Sequence, residues 1–165
     1  MPLDQFYTKD KIAEECYSEF LNILKDNNIE INDYDIILEP SAGKGAFYKL
    51  LPSDKRLGID LEPKYDGVKK LNFFDYIPKS KKYIVIGNPP FGKISSTAIN
   101  FFNKSTTFSD IIAFIVPRTF KRISVQNKLS LDFHLIYNKD LSISPCCFEP
   151  KMSAKCCFQI WIKKN

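Results

Sequence analysis

Apolar residues along the chain follow two spacings, one helical and one typical of buried strands. From Ile12 to Leu24 they recur every three to four positions, which predicts an amphipathic helix over residues 9–25 with Thr8 as its N-cap. Downstream, short apolar runs predict strands at 36–39, 56–60, 83–87, 111–116, 133–137 and 155–162, with a weaker strand at 68–71. Short helices are predicted between strands at 45–51 and 95–104.

The two central runs, 83–87 and 111–116, are apolar at almost every position. Such strands are covered on both faces, which is typical of a parallel sheet in an α/β protein. The last two strands follow each other with no room for a helix, so we expect an antiparallel hairpin at the sheet edge, with a long loop over 141–151. The 165 residues are therefore predicted to form a single domain, 1–165, with a mostly parallel, twisted sheet.

Composition and charge narrow the function only slightly. No apolar run approaches the roughly 18–20 residues that cross a bilayer, and the first residues lack the layout of a signal peptide, so an intracellular protein is expected. The net charge of +5 permits a polyanionic partner but does not require one. Neighbours in a strand face opposite sides, so buried thiols are favoured over a metal site at Cys146-Cys147 and Cys156-Cys157. His134, the one histidine, is expected to be structural.

Polar and glycine residues follow the ends of the first three predicted strands. The first strand leads into Glu39-Pro40-Ser41-Ala42-Gly43-Lys44-Gly45, where two glycines allow a tight turn and a close approach of the backbone to a ligand. The third glycine of the dinucleotide-binding fingerprint is absent, because Tyr48 occupies its position. Asp60 ends the second strand, where a carboxylate can bind ribose hydroxyls. Asp75 follows the third segment, where it can accept from an adenine amino group, so the order favours an adenosine-containing cofactor.

The fourth strand runs directly into Asn88-Pro89-Pro90-Phe91. Two prolines fix φ and remove two N–H donors, so the segment is rigid. It presents the Asn88 side chain and the Pro89 carbonyl as acceptors beside an aromatic ring. An arylamine such as adenine N6 is a weak nucleophile, and two acceptors that hold its hydrogens favour a lone pair directed at a methyl donor. The pattern predicts a catalytic centre for amine methylation; a proline turn that closes a buried strand is the alternative.

Together these motifs resemble the N6-adenine DNA methyltransferases of the gamma arrangement, in which the motif for the cofactor carboxylate precedes the glycine turn. The resemblance covers most of the chain. It implies a Rossmann-like class I fold, S-adenosylmethionine (AdoMet) as cofactor and nucleic acid as substrate. Gln5-Phe6-Tyr7-Thr8 resembles the family's N-terminal motif, here at the start of the first helix. The cofactor-binding residues that the resemblance implies are Phe6, Tyr7, Thr8, Glu39, Pro40, Ala42, Gly43, Gly45, Asp60 and Asp75.

The same resemblance assigns roles on the substrate side. Asn88-Pro89-Pro90-Phe91 matches the catalytic signature, in which Asn and the first Pro carbonyl hold the amine and the aromatic ring stacks on the base. Cys147-Phe148-Glu149-Pro150-Lys151-Met152-Ser153-Ala154 resembles the loop before the final strand, which implies a second stacking ring at Phe148; a core position on the edge strand is the alternative.

Four cations follow the fourth and fifth predicted strands. We expect these residues to contact phosphates that flank the target base, and ordinary solvated charges are the alternative. The four are Lys93, Arg118, Lys121 and Arg122.

The resemblance leaves the polymer that carries the amine open. The DNA enzymes usually have a C-terminal target-recognition domain, whereas this sequence ends at Asn165, so a single-stranded substrate or a specificity subunit is expected. DNA is favoured over RNA, although RNA adenine-N6 methyltransferases share the tetrapeptide. A non-catalytic AdoMet-binding subunit also stays open, as does a protein-glutamine methyltransferase, whose motif usually has Tyr in place of Phe91. No metal and no membrane contact are expected.

Overall fold

The computed structural model describes residues 6–143, 145–150 and 155–165. Its helices are α1 (Asp10–Asp26), α2 (Ser96–Thr106) and α3 (Ile123–Gln126). Its strands are β1 (Tyr7–Thr8), β2 (Ile36–Glu39), β3 (Arg56–Asp60), β4 (Lys69–Lys70), β5 (Tyr83–Gly87), β6 (Ile111–Pro117), β7 (Phe133–Asp140), β8 (Phe148–Glu149) and β9 (Cys156–Lys163). Single 3-10 turns at the carboxyl ends of strands include Phe73–Asp75, Lys93–Ser95 and Arg118–Lys121.

Within the described ranges, the central sheet has the strand order β4-β3-β2-β5-β6-β9-β7. The five strands from β4 to β6 run parallel, while β9 lies antiparallel between β6 and β7. The predicted α/β architecture with an antiparallel pair at the edge is therefore confirmed. In an open sheet of this kind, ligands bind beyond the carboxyl ends of the parallel strands.

The central strands are buried on both faces. In β5, Ile84 and Ile86 pack in the cluster that contains residues of α1, while Tyr83 and Val85 pack in the cluster that contains residues of α2. This division follows from the alternation of side chains along a strand. It confirms the argument from the continuous apolar runs, because a strand without polar positions needs a cover on each side.

The predicted helix over 45–51 is wrong in its extent, since only Tyr48–Leu50 forms a 3-10 turn. Gly45 has φ +81, and a Cβ there would lie 2.5 Å from the ring of Tyr65. The backbone therefore turns at this position rather than winding into a helix. Pro52 then stops any continuation, because it disfavours the helical conformation of the preceding residue.

The N-terminal motif forms a strand rather than the start of the helix. Lys9 is the N-cap of α1, without a side-chain cap. Thr8 lies in β1, which pairs antiparallel with β8 in the register Tyr7↔Glu149 and Thr8↔Phe148. The predicted capping role of Thr8 is therefore wrong, because its hydroxyl accepts a hydrogen bond from Asn88 instead. Gln5 lies outside the described residues.

Four of the five cysteines are buried. Cys156 and Cys157 are both buried at successive positions because β9 is covered on both faces, and burial raises the pKa of each thiol to about 12. Cys16 and Cys147 are buried as well, and Cys146 is partly exposed. The buried-thiol prediction for the two pairs is thus confirmed at Cys147, Cys156 and Cys157 and is wrong at Cys146. In the part of the chain that the structure describes, no three His, Cys, Asp or Glu side chains are grouped as a metal site requires. No helix in those ranges is long and apolar enough to cross a membrane.

Candidate active site

A cleft of about 320 Å³ opens at the carboxyl ends of β2, β3 and β5. Six residues predicted from the sequence line it: Tyr7, Pro40, Gly43, Asp60, Asn88 and Pro90. A cavity of about 30 Å³ beside it is lined in part by Thr8, Glu39 and Ala42. The structure therefore brings the N-terminal motif, the glycine turn and the proline motif together. Lining residues that the sequence reasoning missed are Ser41, Leu61, Leu71, Asn72, Phe73, Phe74, Thr97 and Phe101.

The glycine turn is shaped by left-handed backbone and by Tyr7. Gly43 has φ +54, a conformation that favours glycine, and a Cβ there would lie 3.0 Å from the Tyr7 ring. The ammonium of Lys44 lies 4.7 Å from the centroid of the same ring. Burial raises the pKa of Tyr7, with further contributions from Asp60 and Glu62, so the ring stays a neutral phenol. Tyr7 thus covers the turn at a point where a side chain in place of glycine would make the Tyr7 ring shift.

Asp60 is held by two backbone donors. Its Oδ2 accepts from the Gly43 N–H at 2.7 Å, and its Oδ1 accepts from the Glu62 N–H at 2.8 Å. Each carboxylate oxygen can accept more than one hydrogen bond, so both retain capacity toward the cleft. A fixed carboxylate with two acceptor oxygens suits the adjacent hydroxyls of a ribose.

Phe74 and Phe101 form an aromatic side of the cleft. Phe74 is 45% exposed, and its ring meets Phe101 edge to face with the centroids 5.0 Å apart. Asn72 accepts from the Phe74 N–H at 2.9 Å and so fixes the turn that presents this ring. Asp75 is exposed and lies outside the cleft lining. The cleft lining at this position thus contains Asn72 and Phe74 rather than Asp75, and the contact of Asp75 with an adenine amino group stays a prediction.

Glu39 is buried, with 2% of its surface exposed. Its Oε1 accepts from the Tyr48 N–H at 3.1 Å. Burial raises the pKa of this carboxyl well above its ordinary value, and the Tyr48 hydrogen bond only partly opposes that effect. Gly87 leaves room for the side chain, since a Cβ there would lie 2.9 Å from Glu39 Cγ. Glu39 thus links the end of β2 to the segment that follows the glycine turn.

Asn88 has one defined orientation of its amide. Its Nδ2 donates to the Phe6 carbonyl oxygen and to Thr8 Oγ1, each at 3.2 Å. A carbonyl oxygen can only accept, so the atom that faces Phe6 must be the NH₂ group. Oδ1 is consequently the acceptor that remains, and none of the described residues donates to it. The backbone carbonyl of Asn88 accepts from Ser41 Oγ at 2.9 Å, which ties the motif to the glycine turn.

The two last residues of the proline motif differ in exposure to the cleft. Pro90 lines it, whereas Phe91 is half-buried and packs against both core clusters. The Phe91 carbonyl accepts from the N–H groups of Thr97 and Ala98 at 3.1 and 3.2 Å, which satisfies donors in the first turn of α2. The segment is therefore anchored at both ends.

Phe148 does not reach the cleft. It is 3% exposed and belongs to the core cluster that contains Ala13 and Cys16. The predicted stacking role is therefore corrected to the core position that was the alternative. In this position β8 pairs with β1, and the Phe148 ring points into the core. Residues 151–154 of the same predicted loop lie outside the described ranges.

Two of the four cations predicted to contact phosphates are engaged within the protein. Arg118 Nε donates to the Cys156 carbonyl at 3.1 Å, and its Nη2 donates to the Leu141 carbonyl at 2.7 Å. Lys121 Nζ pairs with Asp140 at 2.9 Å. These bonds hold the ends of β6, β7 and β9 together, and phosphate contacts by the two side chains stay a prediction.

Lys93 and Arg122 remain as candidates for phosphate binding. Both are exposed, and in the described parts of the chain neither forms an ion pair.

The comparisons with known proteins identify the fold. No family model and no curated protein matches the sequence. Solved structures do: a candidate RNA methyltransferase from Pyrococcus horikoshii superposes with a TM-score of 0.66 at 15% identity, over 99% of this chain and 88% of its own. The chain has a methyltransferase fold.

Two further structures share the methyltransferase fold. The 23S rRNA methyltransferase ErmE superposes with a TM-score of 0.62 at 12% identity, over 96% of this chain and 70% of its own. A dimethyladenosine transferase from Plasmodium falciparum gives 0.63 at 17% identity, over 97% of this chain and 64% of its own.

Proposed function

We propose that this chain transfers a methyl group from AdoMet to the exocyclic N6 amino group of adenine in a nucleic acid. The observation that carries the proposal is the Asn88 amide, whose NH₂ group is bound on one side so that Oδ1 is left as an acceptor beside the cleft. A methyltransferase fold around that acceptor is consistent with the proposal.

The cleft fits AdoMet in size and in the chemistry of its lining. Its volume of about 320 Å³ lies within the range of small-molecule sites. The Asp60 carboxylate suits the ribose hydroxyls, and the Phe74 ring offers an apolar face to the adenine. The glycine turn would lie against the methionine portion, where a side chain at Gly43 would collide with Tyr7.

The residues of the proline motif would act by orientation rather than by acid–base chemistry. AdoMet supplies an electrophilic methyl group on a sulfonium. Asn88 Oδ1 and the Pro89 carbonyl would accept the two hydrogens of the amine and favour a lone pair that points at the methyl donor. Stacking of the Phe91 ring on the base stays a prediction from the resemblance, because Phe91 packs against both core clusters and is not among the residues that line the cleft. After transfer, the nitrogen would lose one proton to solvent, so no side chain with a shifted pKa is needed.

Two of the similar structures keep RNA as a second candidate substrate. One of those proteins is named as an rRNA methyltransferase and the other as a dimethyladenosine transferase. The sequence motifs resemble DNA enzymes instead, and we retain DNA as the first candidate. A specificity or activating subunit, expected from the sequence motifs, stays a prediction.

The deciding experiment is incubation with labelled AdoMet and, separately, DNA, RNA and protein, followed by hydrolysis and chromatography of the products. We expect label in N6-methyladenine or N6,N6-dimethyladenine. Label in glutamine would overturn the proposal in favour of a protein substrate. Calorimetric titration with AdoMet completes the test, because AdoMet binding without transfer to any polymer would indicate a non-catalytic subunit.

A further inference from the structure

Two isoleucines stand out from the surface beyond the proline motif. Ile94 is 89% exposed and Ile123 is 76% exposed, although both are large apolar residues. Each directly follows an exposed cation, Lys93 in one case and Arg122 in the other. Apolar and cationic side chains therefore alternate at the carboxyl ends of β5 and β6.

Ile94 also has an unusual backbone conformation. Its φ of 53 and ψ of 37 lie in the left-handed region, which a β-branched residue rarely adopts. Gly92, two residues earlier, and Ser95, the next residue, also have positive φ, at 71 and 61. The chain must turn here because the Phe91 carbonyl caps the first turn of α2 only a few residues later. Strain of this kind clusters where a side chain has a function.

The segments that carry the two isoleucines are joined. Ser95 Oγ lies 3.1 Å from Thr119 Oγ1, which is in the turn that follows β6. That turn is also fixed by the two bonds from Arg118 to backbone carbonyls. We name the four exposed residues Lys93, Ile94, Arg122 and Ile123, which these joined segments carry, the isoleucine rim.

Two more strongly exposed apolar residues lie near the opposite end of the strands, where β5 and β6 begin. Ile77 lies between Tyr76 and Lys79, which both bond to the Tyr83 hydroxyl at the start of β5. Leu131 precedes Asp132, whose carbonyl accepts from Lys164 just after β9 ends. Since they are 85% and 78% exposed, these residues are matched controls for the rim.

The chemistry of the rim fits a nucleic-acid strand. Apolar side chains such as Ile pack on base faces or insert between base steps, and lysine and arginine neutralise phosphates. An adenine drawn out of its stack leaves the faces of its neighbours uncovered. A protein partner could also bury the two isoleucines, but it would not by itself account for a cation beside each of them.

We propose that the isoleucine rim binds the nucleotides next to the target adenine. Ile94 and Ile123 cover the base faces that the extruded adenine leaves, and Lys93 and Arg122 contact the flanking phosphates. The inference rests on the proposed methyl transfer to a nucleic acid.

The test is the affinity of short single-stranded DNA and RNA oligonucleotides with 2-aminopurine next to a single adenine. Ile94→Ala with Ile123→Ala should lower the affinity about tenfold and reduce the change in 2-aminopurine fluorescence on binding. Ile77→Ala with Leu131→Ala should leave both unchanged. Lys93→Gln with Arg122→Gln should flatten the plot of log affinity against log salt by about 0.7 for each phosphate that is no longer neutralised.

The outcomes separate the rim from the proposed function. Wild-type transfer to nucleic acid, together with equal affinity of the rim variant and the control variant, would overturn the rim alone. Wild-type protein that neither binds nor methylates any nucleic acid would overturn both. Unchanged oligonucleotide affinity with loss of self-association would identify a protein interface and also overturn the proposal. Unchanged AdoMet affinity in every variant confirms that the cleft is intact.

Discussion

Polar residues follow strands in both halves of the sheet, the half with β3 and β5 and the half with β6, β9 and β7. Their hydrogen bonds differ between the two halves. At the ends of β3 and β5, Asp60 and Asn88 are fixed by neighbours yet retain acceptor oxygens at the cleft. At the ends of β6, β9 and β7, Arg118 and Lys121 direct their donors to backbone carbonyls and to Asp140. The first half therefore keeps acceptor capacity beside a cleft, whereas the second half uses its donors to hold strands together.

The difference follows from what the adjacent backbone supplies. The turns after β2 and β3 present N–H groups, which orient the Asp60 carboxylate without saturating it. The ends of β7 and β9 present the carbonyls of Leu141 and Cys156, and these need donors. A cationic side chain at this place, such as Arg118, donates its hydrogen bonds to these carbonyls. A position at a strand end therefore does not by itself make a residue functional.

The largest expected effect comes from Asn88→Ala in the first half. Removal of the acceptor should lower the rate of methyl transfer at least about 100-fold, because one preorganised polar group at the reacting atoms typically contributes that much. AdoMet affinity should stay nearly unchanged. Single-turnover transfer and calorimetry measure the two quantities, with Asn100→Ala on the exposed side of α2 as control. Retained turnover in Asn88→Ala would refute the mechanism.

Asp60→Ala sharpens the comparison within the first half. It should weaken AdoMet binding about 10- to 100-fold, since a hydrogen bond to a charged group contributes about 1.5–3 kcal/mol. Asp75→Ala is the matched control, because that carboxylate lies outside the cleft lining. Equal losses in the two variants by calorimetry would contradict a ribose-binding role that is specific to Asp60.

Arg118→Gln tests the second half directly. Loss of two hydrogen bonds from a charged, half-buried donor should lower the free energy of unfolding by about 2 kcal/mol. Lys121→Gln removes an exposed ion pair and should cost under about 1 kcal/mol. Urea unfolding measures both. A flatter salt dependence of nucleic-acid binding without a loss of stability would instead assign Arg118 to the substrate surface.

A substitution at Thr8 should have the smallest effect on the rate of transfer, and it tests how the Asn88 amide is held. Thr8→Val removes one acceptor for Asn88 Nδ2 and should slow transfer about fivefold, which corresponds to about 1 kcal/mol. Thr8→Ser keeps the oxygen and should restore the rate. If Ser and Val slow the reaction equally, the pairing of β1 matters rather than the hydroxyl.

The sequence predicted the sheet well because the apolar runs carry most of that information. A strand such as β5, with no polar position beyond the Tyr83 hydroxyl, can only lie in the centre of a covered sheet. The helix over 45–51 was predicted from spacing alone, and spacing does not register that Gly45 turns against Tyr65. Local pattern therefore specified the strands better than the turns between them.

Residues of the candidate site could be predicted from the sequence where the functional groups lie within one short segment. The proline motif and Asp60 are recognisable without partners. Phe148 and Arg118 were not, because their places depend on residues far along the chain, such as the pairing of β8 with β1 and the carbonyl of Cys156. Long-range partners decide whether a ring or a cation faces a ligand or the core, and a single sequence does not reveal them.

The ribbon formed by β1 and β8 has a consequence for how the protein would respond to heat. Each strand contributes only two residues, and they meet from opposite ends of the sequence. Short pairs of this kind open in local fluctuations that need less free energy than unfolding of the central strands. Each opening would free the Asn88 amide to rotate and reverse its donor and acceptor atoms. Turnover would then decline at temperatures where the sheet is still intact, so the working range would be narrower than the folded range.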